Sequence, residues 1–297
     1  MSSNPSEQAK STQSSKKPTS PPAPVRVTRL GGNVNTLKLS PFTLSLPEKT
    51  ILELYGEPQS GKTLYGLYLC KSFFDQKTDK KNGVLIVRCE KFESEMVQKA
   101  CESFELEADI VDIMPPNSPI ELLKLFNVDI NYDVDRDGGR VDISLATEDL
   151  LSALQKSIAA EYSVIFVDTL TSVFNIISAA GLKNFVARNV YESIFMTAAE
   201  LTAKLCGATI ILTHEHTKNV IQPYSTIEVK GGKEIERRSD YILRLASSGS
   251  GDRLRLFTVY AKRWPMLPEN HQIGQMYFAI REFQVYTPRK SRDARDE

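Results

Sequence analysis

The sequence predicts an α/β fold, with a mostly parallel central sheet, helices on both faces and antiparallel strands extending it at the C-terminal end. Three observations carry that prediction. Val84–Val87, Val164–Val167 and Ala208–Leu212 are continuously apolar, the texture of strands buried on both faces. Amphipathic stretches at helical spacing alternate with them, as crossovers between parallel strands require. After Tyr241 the helical spacing stops, and the remaining apolar runs follow one another directly.

Taken in order, Thr50–Tyr55 reads as a strand, followed by a glycine-containing turn and an amphipathic helix from about Lys62 to Phe74. Val84–Val87 is a buried strand and Glu93–Phe104 a helix. Ile110–Met114 is a short strand stopped by Pro115-Pro116, and Ile120–Phe126 is helical. A helix over Thr147–Ala160 leads into the strand Val164–Val167. The longest helix, Asn184–Cys206, leads into Ala208–Leu212, and strands over Tyr241–Ala246, Leu254–Ala261 and Met276–Val285 close the sheet.

The composition bounds the function. Hydrophobic residues make up 41% of the 297 residues and charged residues 25%, enough to bury a substantial core. Lys and Arg number 37, as do Asp and Glu, which excludes a polycation that grips nucleic acid by bulk charge; any such contact must be a local patch. No apolar run approaches the ~18 residues that span a bilayer, and the N-terminus lacks the apolar region of a signal peptide. Cys70, Cys89, Cys101 and Cys206 are widely spaced without a CxxC pair, so neither a zinc site nor a disulfide framework is encoded. These features predict a soluble protein of a reduced, cytoplasmic compartment with no membrane partner. Residues 1–24 are dominated by Ser, Thr, Pro, Lys and Gln and read as a disordered tail; 288–297 read as a shorter polar tail, leaving 25–287 as one domain.

Chemistry enters at the first strand-to-helix turn. Gly56-Glu57-Pro58-Gln59-Ser60-Gly61-Lys62-Thr63 matches the P-loop pattern G-x-x-x-x-G-K-[ST] in full. Its glycines let backbone N–H groups turn toward phosphate oxygens at the positive end of the following helix. Lys62 would reach the β- and γ-phosphates of ATP, and the Thr63 hydroxyl would ligate Mg²⁺. Asp168 ends the apolar strand Val164–Val167, at the sheet edge where such folds bind ligands, and is the second acid for the metal; the alternative is a cap for the turn that follows. Glu90 lies just past the strand Val84–Val87 at the equivalent rim and is the candidate general base, with Glu93 and Glu95 as competitors. Asp133-Val134-Asp135-Arg136-Asp137-Gly138 matches the opening half of an EF-hand calcium loop, but position 144 holds Ser144 where the closing Glu belongs, so an acidic excursion from the sheet is the expectation there.

This order of motifs resembles the RecA superfamily: a P-loop, a strand leading to Glu, a strand ending in Asp-Thr, a long helix and a strand ending in Thr-His-Glu. Within it the archaeal RadA/RadB recombinases with their eukaryotic paralogues, and the KaiC-like ATPases, are the most similar. The resemblance covers about residues 28–285 and rests on VLIVRCEKFESEMVQKA, VIFVDTLTSVFNII and FVARNVYESIFMTAAELTAKLCGATIILTHEHTK. It implies a RecA-like P-loop NTPase core that hydrolyses Mg-ATP. It also implies a γ-phosphate sensor at Thr213 or His214, where recombinases usually carry Asn-Gln, so that Thr-His-Glu leans toward the KaiC-like branch. Residues 215–238 would form a loop contacting single- or double-stranded DNA through Lys218, Lys230, Lys233, Arg237 and Arg238; interleaved Glu215, Glu228, Glu234 and Glu236 leave a solvated mixed-charge loop as the alternative. Lys262 and Arg263 would reach from a strand end to a neighbouring subunit's nucleotide, in a homo-oligomer or a hetero-oligomer with RecA-family subunits; surface cations at a hairpin tip are the plainer reading. Phe42-Thr43-Leu44-Ser45 only weakly echoes the Phe-x-x-Ala docking motif of recombinases, and no helix-hairpin-helix domain precedes the core. The resemblance therefore implies a recombination or repair accessory ATPase acting on DNA, nuclear or nucleoid-associated if so. The alternatives are a KaiC-like signalling or assembly ATPase with a protein partner and a hexameric nucleic-acid motor.

Overall fold

The computed structural model describes residues 35–42, 44–77, 83–90, 94–134, 141–179, 185–218, 227–229, 233–248, 254–279 and 284–286. The two segments read as tails, 1–24 and 288–297, lie outside them.

The described residues open with β1 (Thr36–Lys38) and β2 (Ser45–Pro47), paired antiparallel. The wound part follows as β3 (Ile51–Gly56), α1 (Lys62–Gln76), β4 (Val84–Arg88), α2 (Ser94–Ser103), β5 (Ala108–Asp112) and α3 (Ser118–Leu125). A separate antiparallel pair, β6 (Ile130–Val134) and β7 (Val141–Leu145), precedes α4 (Leu150–Gln155) and a 3₁₀ turn, Ile158–Glu161. Next come β8 (Val164–Asp168), α5 (Leu170–Ala179), α6 (Phe185–Cys206), β9 (Thr209–Lys218), β10 (Ile227–Val229) and α7 (Lys233–Arg238). The last described elements are β11 (Tyr241–Ser248), β12 (Leu254–Arg263), β13 (His271–Ala279) and β14 (Gln284–Tyr286). The main sheet runs β14-β13-β12-β11-β3-β9-β8-β4-β5, with β10 paired to β9. From β11 to β5 all neighbours are parallel, while β12, β13 and β14 are added antiparallel. This is the predicted α/β architecture.

Alternation of side chains along the central strands builds two cores. Ile51, Leu85, Val87, Ile165, Val167 and Leu212 face Leu122, Phe126, Phe174, Tyr191 and Phe195 of α3, α5 and α6 and the turn after α3. Leu52, Leu54, Ile86, Phe166, Ile211 and Leu243 share the other core with Leu67, Phe73 and Val97 of α1 and α2. Each fully buried side chain of this kind contributes about 1.5–3 kcal/mol, so the sheet is anchored from both sides. None of the described helices is long and apolar enough to cross a membrane.

The structure departs from the sequence reading at several places. The helix expected over Thr147–Ala160 is two pieces: Asp149 accepts from Ser152 N at 3.1 Å to start α4, and Ser157 accepts from Ala160 N at 3.1 Å to start the 3₁₀ turn. Such side-chain caps offer the backbone a local alternative to continuing one helix. The turn after Asp168 is the start of α5, whose Val173, Phe174 and Ile177 are buried. β9 runs on to Lys218 because its distal residues pair with β10, so Thr213 and His214 lie within a strand instead of at its end. The expected strand Met276–Val285 is replaced by β13 and β14, with 280–283 outside the described residues. In keeping with the expected acidic excursion, its flanks are the strands β6 and β7 and not the helix pair of an EF-hand; 135–140 themselves lie outside the described residues. Phe42, the weak docking echo, packs within the chain, its ring on Gly274 and 6.4 Å from that of Tyr65.

Candidate nucleotide site

The turn between β3 and α1 is shaped by two glycines with no room for a side chain. A Cβ at Gly56 would fall 2.4 Å from the Leu245 carbonyl oxygen, and one at Gly61 would fall 2.5 Å from the Phe257 ring. Gly61 also has φ = 83°, a left-handed conformation that glycine adopts without cost. It caps α1 without a side-chain hydrogen bond, so the first N–H groups of a 15-residue helix are left for an incoming acceptor. Lys62 folds back over the turn, its Nζ donating to Gly56 O at 3.1 Å and Glu57 O at 2.8 Å. Burial lowers its pKa, opposed by the charges of Asp168, Glu215 and Glu90. The Ser60 hydroxyl is buried and has no hydrogen-bond partner among the described residues.

The parallel register brings two acids to the same edge. β4 and β8 pair with Arg88 opposite Asp168, and Cys89 N donates to Asp168 O at 2.7 Å. The Asp168 carboxylate accepts from the Thr63 hydroxyl at 2.7 Å and from the Thr213 hydroxyl at 2.5 Å. Burial raises its pKa, opposed by those two hydroxyls and by Lys62. Glu90 accepts from the Ser172 hydroxyl of α5 at 2.5 Å; burial raises its pKa and the Ser172 bond works against that. Residues 58–63, Glu90 and Asp168 line one cavity of about 420 Å³.

The remaining predicted residues are spread around this cavity. Pro58 and Gln59 line it, whereas Glu57 is an exposed part of the turn. Thr213 reaches Asp168 from the neighbouring strand. His214 points to the opposite face of the sheet, fully buried, with Nδ1 3.1 Å from Glu53 and its ring 5.8 Å from that of Phe174. Glu95 opens α2 as an exposed partner of Lys99; Glu93 lies outside the described residues. In the segment expected to meet DNA, Lys218 closes β9 and Lys233 opens α7, while Lys230 lies outside the described residues. Arg237 is exposed and pairs with Glu234 at 2.9 Å. Arg238 is committed to α6, with both ends of its guanidinium on Glu200 at 2.8 Å and further bonds to Ser193 O and Thr197. Lys262 pairs with Glu236 at 2.6 Å, and Arg263 donates to Arg237 O and Ser239 O, both at 3.0 Å, at the C-terminal end of α7.

The sequence reading missed four contributors. Ser172 holds Glu90, and Glu215, Arg255 and Phe257 line the cavity. Arg255 left a legible signal, a cation set between Leu254 and Leu256 in the apolar first half of β12. Phe257 left none, because its contact with Gly61 depends on strand order.

The sequence matches no known protein-family description and no curated protein. Among solved structures, the fold is similar to a crystal structure of the RadB recombinase, with a TM-score of 0.50 and 17% identity over 81% of this chain and 91% of that one. At this identity the likeness concerns the fold, and the architecture is a RecA-like α/β core.

Proposed function

We propose that this chain binds and hydrolyses Mg-ATP and couples that cycle to DNA, as an accessory factor in recombination or repair. The observation that carries the reading is the convergence, in one cavity, of an uncapped α1 N-terminus, Lys62, the Thr63–Asp168 pair and Glu90. The residues fit the nucleotide: the orphaned Ser60 hydroxyl and the N–H groups of α1 are donors awaiting acceptors. They also fit Mg²⁺ held partly by phosphate and water, since Thr63 and Asp168 offer two oxygens and no larger cluster of metal-binding side chains occurs among the described residues. Bound Mg-ATP supplies the transferable phosphoryl group and the cation that neutralises charge on it. Lys62 neutralises phosphate charge from the turn, and Thr213 fixes the Asp168 carboxylate from the side. Glu90, with one oxygen anchored by Ser172, takes the proton of the attacking water at the other.

Coupling to DNA draws on the fold shared with a protein named a recombinase. One observation favours the protein-partner reading instead: Arg238, Lys262 and Arg263 are all engaged within the chain, which leaves fewer cations for phosphate. ATP turnover measured with and without single- and double-stranded DNA decides between them. Stimulation by DNA supports the first reading; turnover indifferent to DNA transfers the coupling to a protein.

A further inference from the structure

The strand β12 carries three cations, and their surroundings differ. Lys262 and Arg263, at its C-terminal end, are matched by Glu236 and by the carbonyls of Arg237 and Ser239. Arg255, near its start, lines the cavity over the P-loop, and its Nε is buried without a hydrogen-bond partner among the described residues. Its backbone is fixed by pairing with Phe278 of β13, and two residues on, along the same face, Phe257 covers Gly61. A guanidinium does not shed its charge, so a buried N–H of this kind calls for an acceptor. Among the described residues, no carboxylate of the cavity pairs with it. Asp168 is held by Thr63 and Thr213, and Glu90 by Ser172. Glu215 lines the same cavity, where its charge acts on Lys62, Glu90 and Asp168.

We propose that Arg255 contacts the phosphates of a nucleotide bound to its own subunit, so that the cation expected from a neighbour's Lys262 or Arg263 is supplied in cis by the same strand. The planar fork of arginine suits phosphate oxygens, and the acceptor missing from the protein is the one that a polyphosphate brings. This inference rests on the nucleotide-binding reading above and assigns to it a residue outside the P-loop motif.

The test is calorimetric titration of ATP and of inorganic tripolyphosphate into the full chain and into Arg255→Gln, Arg255→Lys and Lys62→Ala. Arg255→Gln is expected to weaken both ligands about 10-fold or more, as loss of a charge-assisted bond does, with the melting temperature of the ligand-free protein unchanged. Arg255→Lys, which keeps the charge without the fork, is expected to fall between, and it carries the test if the Gln variant folds poorly. Unchanged ATP affinity in both Arg255 variants overturns the proposal. A loss confined to ATP, with tripolyphosphate unaffected, also overturns it by moving the contact to the base or ribose. Recovery of hydrolysis on mixing Arg255→Gln with Lys62→Ala protein overturns the cis assignment, because only a site shared between subunits could combine the two intact residues. Failure of the unmodified chain to bind ATP, with Lys62→Ala indistinguishable from it, breaks the nucleotide reading itself, a different result from any of these.

Discussion

The P-loop turn and the α7–β12 corner are comparably rich in charged residues, yet their charges are disposed in opposite ways. Around the P-loop, Lys62, Asp168 and Glu90 are each held by a neutral partner: backbone carbonyls for the first, hydroxyls for the two acids. Their charges are thereby oriented without being cancelled. At the corner, Glu234 takes Arg237, Glu236 takes Lys262 and Glu200 takes Arg238, so charge meets opposite charge within the chain. The difference teaches that a cluster of cations announces a ligand only if the carboxylates interleaved with it are out of reach. A charge supported by neutral donors or acceptors remains available to a ligand; one already in a bidentate ion pair does not.

The comparison can be broken most sharply at Lys62 and Glu90. Lys62→Ala should abolish ATP hydrolysis, while Glu90→Gln should keep nucleotide affinity and slow turnover by about 10²-fold or more, as loss of a general base does. Single-turnover and binding measurements on the two variants check this, and normal turnover in Glu90→Gln removes it from the mechanism. At the corner the expected effect is on stability. Arg238→Ala leaves Glu200 without its partner and should cost about 1–3 kcal/mol in urea unfolding, with no change in the salt dependence of DNA affinity. A salt slope reduced by about one unit would instead put Arg238 on a phosphate. Replacing Lys230, Lys233 and Arg237 together should flatten that slope by about one unit per lost phosphate contact if the segment meets DNA; an unchanged slope favours a protein partner. The smallest effect expected is at Ser172. Its hydroxyl opposes the rise that burial imposes on the Glu90 pKa, so Ser172→Ala lets that pKa climb further. A base works only when deprotonated, so the acid limb of the pH–rate profile should move to higher pH. An unmoved limb with slower turnover would make Ser172 a packing residue only.

What the sequence disclosed follows from how far apart the interacting residues lie. The P-loop turn is eight consecutive residues, and the continuous apolar strands sort themselves into a parallel sheet, so the wound core was legible along the chain. Arg88 and Asp168 sit opposite each other because β4 and β8 are neighbours, a strand order that the apolar texture of the two strands does not give. Other features needed the third dimension. The polar run Thr213–Lys218 has no strand texture, and only pairing with Ile227–Val229 extends β9 through it. α5 was hidden because Thr-Ser and β-branched residues are weak helix formers, and its helix is secured by burying Val173, Phe174 and Ile177. The partners of Arg238 and Lys262 lie on α6 and α7, and no spacing rule along the chain links them.

The contact between Phe257 and Gly61 has a consequence for biosynthesis. Translation delivers β3 and α1 early, yet the ring that walls the glycine turn lies on β12, which is inserted between β11 and β13. A nascent chain that has released residue 76 holds the whole P-loop motif but not the wall on its far side. The nucleotide pocket is therefore completed late in synthesis. Chains truncated before β12 should carry an intact motif without the pocket that makes it useful, so premature products would compete poorly for nucleotide with the full-length protein.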